Sequence, residues 1–195
     1  MNSDLYETQF LSYCYKTVTL DPTPFLTPLI NRLPKNSKIL DIGCGSGRDL
    51  LWLKNQGYQP TGFERSSGIA QFAREHSQCS VIEGDFQTYD FSTLQFDAVI
   101  AIGAFVHLKK SELGPTLLRI SRSINKDGLI YLTLKEGLGQ YQNEDGRIFV
   151  YWEQEDLEET FETCGFALIS LLRNVSIMNH KEIWLGCFIQ YQGFK

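Results

Sequence analysis

Lys38-Ile39-Leu40-Asp41-Ile42-Gly43-Cys44-Gly45-Ser46-Gly47-Arg48-Asp49-Leu50-Leu51-Trp52-Leu53 is the stretch that decides the fold. Ile39, Leu40 and Ile42 form a short apolar run of strand type. Gly43, Gly45 and Gly47 allow a tight turn with no Cβ in the way. Leu50, Leu51 and Leu53 put an apolar stripe on the following helix, which then packs back on the sheet. A strand, a glycine turn and a helix in this order bring backbone N–H groups and a helix N-terminus to a ligand.

Downstream of this stretch strand and helix alternate. Gly57 ends the first helix, 59–64 reads as a second strand, and 66–76 reads as a helix with Ile69, Ala70, Phe72 and Ala73 inward. Val81-Ile82 is a short third strand. Residues 96–102 are apolar almost throughout, as expected of a parallel strand covered on both faces. A helix over 111–124 follows, with Pro115 tolerated near its start. Lys126-Asp127-Gly128 reads as a turn before a fifth strand at 129–134, and 135–146 as a long polar loop. A short strand over 147–152 and an acidic helix over 153–164 come next. The strands at 166–173 and 183–190 are joined by too few residues for a crossover helix, so they pair antiparallel. Upstream, Tyr6, Phe10, Tyr13 and Thr17 mark an aromatic helix over 4–17, and a second helix follows Asp21 or Thr23.

The chain has 195 residues, 43% hydrophobic and 21% charged, which suits one globular α/β domain over 1–195. No apolar run approaches the ~18 residues of a membrane-spanning helix, and the early acid at Asp4 argues against a signal peptide. The net charge of −5 argues against a broad nucleic-acid footprint. Five scattered cysteines with no C-x-x-C pair fit free thiols in a reducing compartment, with cytoplasm the default.

Alternation of this kind implies a doubly wound sheet with its ligand beyond the carboxyl ends of the strands. Asp41–Gly47, Glu64, Asp85-Phe86, Ile102–His107 and Lys135–Gly139 gather at those ends. The nicotinamide fingerprint requires glycine at position 48, where Arg48 stands; the glycines run G-x-G-x-G instead.

With Asp41 preceding these glycines, the sequence resembles the class I S-adenosylmethionine-dependent methyltransferases. The resemblance rests on Asp41–Gly47, Glu64, Gly84-Asp85-Phe86, Phe96–Val99 and Lys126–Leu129. Gly45–Asp49 and Asp145–Phe149 look closest to small bacterial methyltransferases of tellurite-resistance type. The resemblance implies a Rossmann-like, mostly parallel seven-stranded sheet with an antiparallel last strand. It also implies an N-terminal helical lid over 1–36 and an acceptor-side loop over 135–152.

The resemblance implies S-adenosylmethionine as cofactor and S-adenosylhomocysteine as product. Gly43, Gly45, Gly47 and Arg48 would meet the cofactor's carboxylate and Asp41 its ammonium. Glu64 would accept from the ribose hydroxyls. Asp85 would accept from the adenine amine, and Phe86 would stack on the ring. Tyr13, Thr17, Arg65 and Ile102 complete the expected cofactor set. Each acid or base also has a structural reading: Asp85 as a turn cap, Arg48 as a first-turn residue, Tyr13 as packing alone.

Methyl transfer from a sulfonium depends mainly on alignment, which can supply about 7–11 kcal/mol. A base matters only for an acceptor that loses a proton. His107 is the candidate, by its ordinary pKa near 6.5, against a purely structural role. Lys135, Tyr141, Arg147 and Tyr151 are candidate acceptor contacts, suited to an anionic or aromatic molecule. Arg147 has an equal structural reading, as an ion pair with Glu144 or Asp145. Strand four does not end in the Asn/Asp-Pro-Pro run of base-amino methyltransferases, so the expected partner is a small-molecule methyl acceptor, with no nucleic acid, membrane or metal, and the chain a monomer or homodimer. A non-catalytic cofactor-binding protein of the same fold is the alternative, and a nicotinamide oxidoreductase a third reading.

Overall fold

The computed structural model of the protein describes residues 10–176 and 178–193. The first part of the expected aromatic helix, residues 4–9, and the acid at position 4 lie outside the described residues. Two compact units divide the chain, Met1–Tyr89 and Asp90–Lys195.

The first unit holds α1 (Phe10–Thr17), α2 (Thr23–Ile30), β1 (Lys38–Ile42), α3 (Arg48–Asn55), β2 (Gln59–Glu64), α4 (Ser67–Ser77) and β3 (Val81–Glu83). Its strands run in the order β3-β2-β1, all parallel. Asp41 lies opposite Gly62, and Glu64 opposite Glu83, so the acids of three strands reach one edge. Ile39, Leu40, Ile42 and Phe63 are wholly buried. Burying a side chain of this kind contributes about 1.5–3 kcal/mol, which is why β1 carries almost no polar residue. Asp41 is the buried exception, next to the turn, while Lys38 at the start of the strand is exposed.

The turn itself is held from both sides. Phe63's carbonyl accepts from Gly43 N at 2.8 Å and Cys44 N at 3.2 Å. Cys44, Leu50, Ala70, Ala73 and Val81 pack together beneath it. Gly47 sits at φ 75°, and a Cβ there would lie 2.9 Å from the Ala73 carbonyl oxygen. Both the left-handed backbone and the close approach of α4 require glycine. Ser66 caps α4 by accepting from Ile69 N at 3.4 Å.

The second unit holds β4 (Phe96–Ile102), α5 (Lys110–Ile120), β5 (Ile124–Glu136), β6 (Gln140–Gln142), β7 (Ile148–Trp152), α6 (Gln154–Thr163), β8 (Phe166–Val175) and β9 (Ile183–Tyr191). β4 and β5 are parallel through Ile102 and Thr133. Beyond that point β7 takes the same edge of β5, at Lys135 and Glu136. β9 runs antiparallel along the opposite edge, and β8 pairs with β9, as the short connection required.

Two expectations change. The fifth strand begins at Ile124, because Lys126-Asp127-Gly128 is a bulge within it, with Asp127 at φ 66°. Residues 135–146 are not an open loop: β5 continues to Glu136, and 140–142 pair with β7 as a hairpin. Asp145-Gly146 is its turn, with Gly146 at φ 82°. The strands of the expected seven-stranded sheet are present as β1–β5, β8 and β9, β7 falls on the short strand expected over 147–152, and β6 is added as its hairpin partner.

Gly47→Ala should lower the stability of the chain by about 2 kcal/mol or more, from left-handed strain and overpacking against α4. Urea unfolding checks this; a loss below ~0.5 kcal/mol would show that the approach to Ala73 is not tight.

Candidate functional site

In the first unit the candidate residues converge on the glycine turn. Asp41 is 2% exposed. Its Oδ2 is buried without a hydrogen-bond partner among the described residues. Burial first, and then the nearby Asp49 carboxylate, push its carboxyl well above the usual range; the Arg48 charge only partly opposes them. Such a group is costly by itself and fits a cationic ligand group placed against it.

Arg48 does not stand open to a ligand. Its Nε donates to Asp49 Oδ1 at 2.7 Å and its Nη2 to Asp49 Oδ2 at 3.1 Å. Burial works against its charge, but Asp49, Asp41 and Tyr13 more than offset this and raise its pKa. The turn amides are likewise engaged: Gly43 and Cys44 with Phe63, Gly45 with Glu64, and Gly47 with the Cys44 carbonyl at 3.0 Å. The amides of Gly43, Cys44, Gly45 and Gly47 thus hold the turn in shape.

Glu64 joins the two ends of the site. Its Oε2 accepts from Gly45 N at 3.2 Å, and its Oε1 accepts from Arg65 N at 2.8 Å and Ser66 N at 3.1 Å. Burial raises its pKa, against the lowering effect of these backbone donors. Each carboxylate oxygen can accept more than one hydrogen bond. Asp85 takes the structural part foreseen for it, that of a turn cap. Its Oδ1 caps a turn by accepting from Gln87 N at 2.9 Å, and its Oδ2 lies 3.8 Å from Arg65. That exposed ion pair is worth under ~1 kcal/mol. Phe86, next to it, is half-buried.

α1 is pinned to the turn. Thr17 Oγ1 donates to Ser46 Oγ at 3.1 Å. The Tyr13 ring covers Gly45, where a Cβ would meet its hydroxyl at 3.0 Å. The sequence offers no signal for the Thr17–Ser46 bond, because 29 residues separate the two.

In the second unit Ile102 ends β4, and Gly103 N donates to Thr133 Oγ1 at 2.9 Å. His107 lies in the following loop. Its Nδ1 is 2.6 Å from the Ile148 carbonyl, which can only accept, so Nδ1 carries the proton. Val150 N donates to the Val106 carbonyl at 2.8 Å, so β7 holds this loop at two points. Burial lowers the His107 pKa, helped by Arg147 and Lys135 and opposed by the Ile148 bond. The neutral ring then carries its lone pair on Nε2.

The other candidates separate. Arg147 pairs with Asp145 at 2.7 Å rather than with Glu144. Tyr141 is 54% exposed on β6. Lys135 is buried, and both Glu182 oxygens lie 2.9 Å from its Nζ. Its ammonium is 4.3 Å from the Phe149 ring centroid, 5.6 Å from Trp184 and 6.0 Å from Tyr151. Glu182, Phe149 and Trp184 were not foreseen; the apolar alternation of Phe149 with Tyr151 was the signal available. Burial pushes the Cys14 thiol up to about 11 and the Cys187 thiol up to about 12.

Comparison with known proteins bears on the domain and the fold. Residues 39–128 match the family described as a methyltransferase domain. A stretch of 104 residues is 34% identical to a sterol 24-C-methyltransferase of Candida albicans, covering 48% of this chain. The chain spans about a quarter of that relative's length, 27%. The fold is similar to that of the 1,6-didemethyltoxoflavin-N1-methyltransferase of Burkholderia thailandensis, whose structure holds 1,6-didemethyltoxoflavin and S-adenosylhomocysteine. That similarity has a TM-score of 0.78 at 20% identity, over 97% of this chain and 88% of the other. A TehB-like SAM-dependent methyltransferase of Corynebacterium glutamicum is similar over 94% of this chain and 98% of its own, with a TM-score of 0.71 at 20% identity.

Asp41 also makes a stability prediction. Its carboxyl holds its proton to a higher pH in the folded chain than in the unfolded one. Ionisation therefore costs stability, starting near the ordinary pKa of about 4 and growing until the raised pKa is passed. Asp41→Asn should raise the melting temperature of the cofactor-free chain at about pH 8, and the gain should shrink toward about pH 4. A pH series of thermal unfolding checks it; a variant less stable at every pH would contradict the buried, unpartnered carboxylate.

Proposed function

From a chain that carries a methyltransferase domain over residues 39–128, with the class I methyltransferase fold, we infer an S-adenosylmethionine-dependent methyltransferase acting on a small molecule. The observation that carries the reading is the buried Asp41 Oδ2, unpartnered beside a glycine turn that Glu64 ties to β2. This donor set fits a nucleoside with an amino-acid tail and offers no group for a phosphate. When bound, S-adenosylmethionine supplies an electrophilic methyl group on its sulfonium.

The chain's own residues then have distinct tasks. Asp41 accepts from the ammonium and gains the cation its buried oxygen lacks. Arg48, held by Asp49, keeps a positive charge behind Asp41, so three carboxylates do not face the turn uncompensated. Tyr13 covers Gly45 as part of the N-terminal lid and contacts the amino-acid tail. Thr17 holds that lid to Ser46. Glu64 accepts from the ribose hydroxyls while it keeps Gly45 in place. Asp85 accepts from the adenine amine, beside Arg65, and Phe86 contributes apolar surface to the ring. His107 takes a proton from the acceptor at Nε2, its ring fixed by Ile148. Tyr141, Arg147 and Tyr151, with Lys135, line the acceptor side. Five free cysteines fit the cytoplasm.

Two measurements test this. Calorimetric titration should show S-adenosylhomocysteine binding and no binding of NAD; the reverse would replace the reading with an oxidoreductase. A tritiated-methyl transfer screen over fractionated metabolite extract should label a small-molecule fraction. Cofactor binding with no labelled product in any fraction would favour the non-catalytic alternative.

The His107 role has its own signature. Its pKa is lowered, so the neutral, proton-accepting form persists below pH ~6.5. Turnover of an acceptor that loses a proton should rise with pH through a value below ~6.5 and stay flat above it. His107→Ala should remove that limb and lower kcat by about 10²–10⁴. Near-normal kcat in the variant would sink the base role.

A further inference from the structure

Four strands of the second unit meet at Lys135. Tyr151 of β7 lies opposite it on one side and Trp184 of β9 on the other. Asn174 of β8 lies opposite Trp184. Directly opposed residues leave the same face of a sheet, and Phe149, two residues from Tyr151, shares it. The result is a half-buried aromatic surface with one ammonium at its centre and an amide at its end. Gly103 lies beside this surface, where a Cβ would be in ordinary contact with the Trp184 ring at 3.5 Å.

Two features of this surface do not belong to ordinary packing. The first is the source of Lys135's counter-charge. Lys135 is fixed within the sheet and its side chain is 10% exposed, whereas that of Glu182 is 25% exposed. Glu182 lies in the β8–β9 connection, held there through its backbone by Ser176 N and the Asn179 carbonyl, at 2.8 Å each. The carboxylate is thus delivered from the solvent side onto a lysine set among rings. The second is Asn174 Nδ2, a buried donor without a hydrogen-bond partner among the described residues. A buried polar atom of this kind is rare in a settled core and marks a place for an acceptor atom.

We propose that this face is the acceptor subsite, that its ligand is a flat aromatic carboxylate, and that Glu182 is an internal stand-in for the ligand's carboxylate. The ligand's ring lies against Trp184, Tyr151 and Phe149, and its carboxylate takes the Lys135 ammonium from Glu182. Glu182 then turns back to water, where its charge is readily solvated. Asn174 donates to an oxygen or ring nitrogen of the ligand. A carboxylate is favoured over other anions because both Glu182 oxygens already engage Nζ at 2.9 Å, which is the geometry the ligand must reproduce. The assignment of this ligand as the methyl acceptor rests on the methyltransferase reading above; the binding chemistry does not.

The test uses the full chain with 2-naphthoate as probe and the neutral 2-naphthamide as its comparison. Calorimetry should show 2-naphthoate binding at least about tenfold more tightly than the amide. Glu182→Gln removes the internal competitor and leaves Lys135 in need of a partner. The variant should melt below the parent chain, regain the difference on addition of 2-naphthoate but not of the amide, and bind 2-naphthoate about threefold or more tighter. Lys135→Met should abolish the preference for the carboxylate. Equal binding of the two probes, no binding of either, or a Glu182→Gln variant with unchanged or weaker affinity for 2-naphthoate overturns the proposal. S-adenosylhomocysteine is titrated into the same preparations. If it binds normally while the naphthoate results fail, the subsite is wrong and the methyltransferase reading stands. If it fails to bind, that reading falls separately.

Discussion

A carboxylate buried without a partner is the constraint around which the first unit is arranged. Asp41 sits at the end of a strand whose other core residues are apolar, beside two more acids, Asp49 and Glu64. One guanidinium cannot satisfy three carboxylates. Arg48 is spent bidentately on Asp49, and Glu64 is satisfied by backbone N–H groups. The shortfall falls on Asp41. The glycine turn follows Asp41 directly, with Gly47 left-handed and α1 pinned to the turn through Thr17. A core at this site would be more stable without the acid, which is the ground for proposing a bound cation against it.

The second unit handles a buried charge differently. Lys135 is surrounded by three aromatic rings and neutralised by Glu182, a residue 47 positions away. Rings lower the cost of holding the ammonium, and the carboxylate offsets most of what remains. The β6–β7 hairpin contributes beyond its rings. By holding Val106 and His107, β7 fixes the loop after β4, and the same strand supplies Phe149 and Tyr151. A change in this hairpin therefore acts on the orientation of His107 as well as on the aromatic face.

Much of this was legible in the residues. The turn at 43–47, the acids at 41, 64 and 85 and the antiparallel last strands follow from local composition and from short connections. Asp145–Arg147 could be read because the partners are two residues apart. Lys135 could not: its residue type suggests a cation for the acceptor, and only strand register reveals Glu182 and Trp184 beside it. The hydrogen bonds of the turn amides were not legible for a related reason. A glycine-rich turn advertises N–H donors, but the parallel neighbour strand absorbs them, and sequence spacing says nothing of that absorption. The β6–β7 hairpin was hidden by its glycines and polar residues, although Asp145-Gly146 is a hairpin turn signal.

The central claim is that Asp41's buried carboxylate receives the cofactor's ammonium. Burial raises its pKa, and a cation placed against it must drive the proton off. Calorimetric titration of S-adenosylhomocysteine at about pH 5.5, repeated in two buffers of different ionisation enthalpy, counts that proton. The account predicts net proton release on binding, absent from Asp41→Asn, together with a large loss of affinity in the variant. Binding with no proton release, at an affinity that Asp41→Asn leaves unchanged, would contradict it.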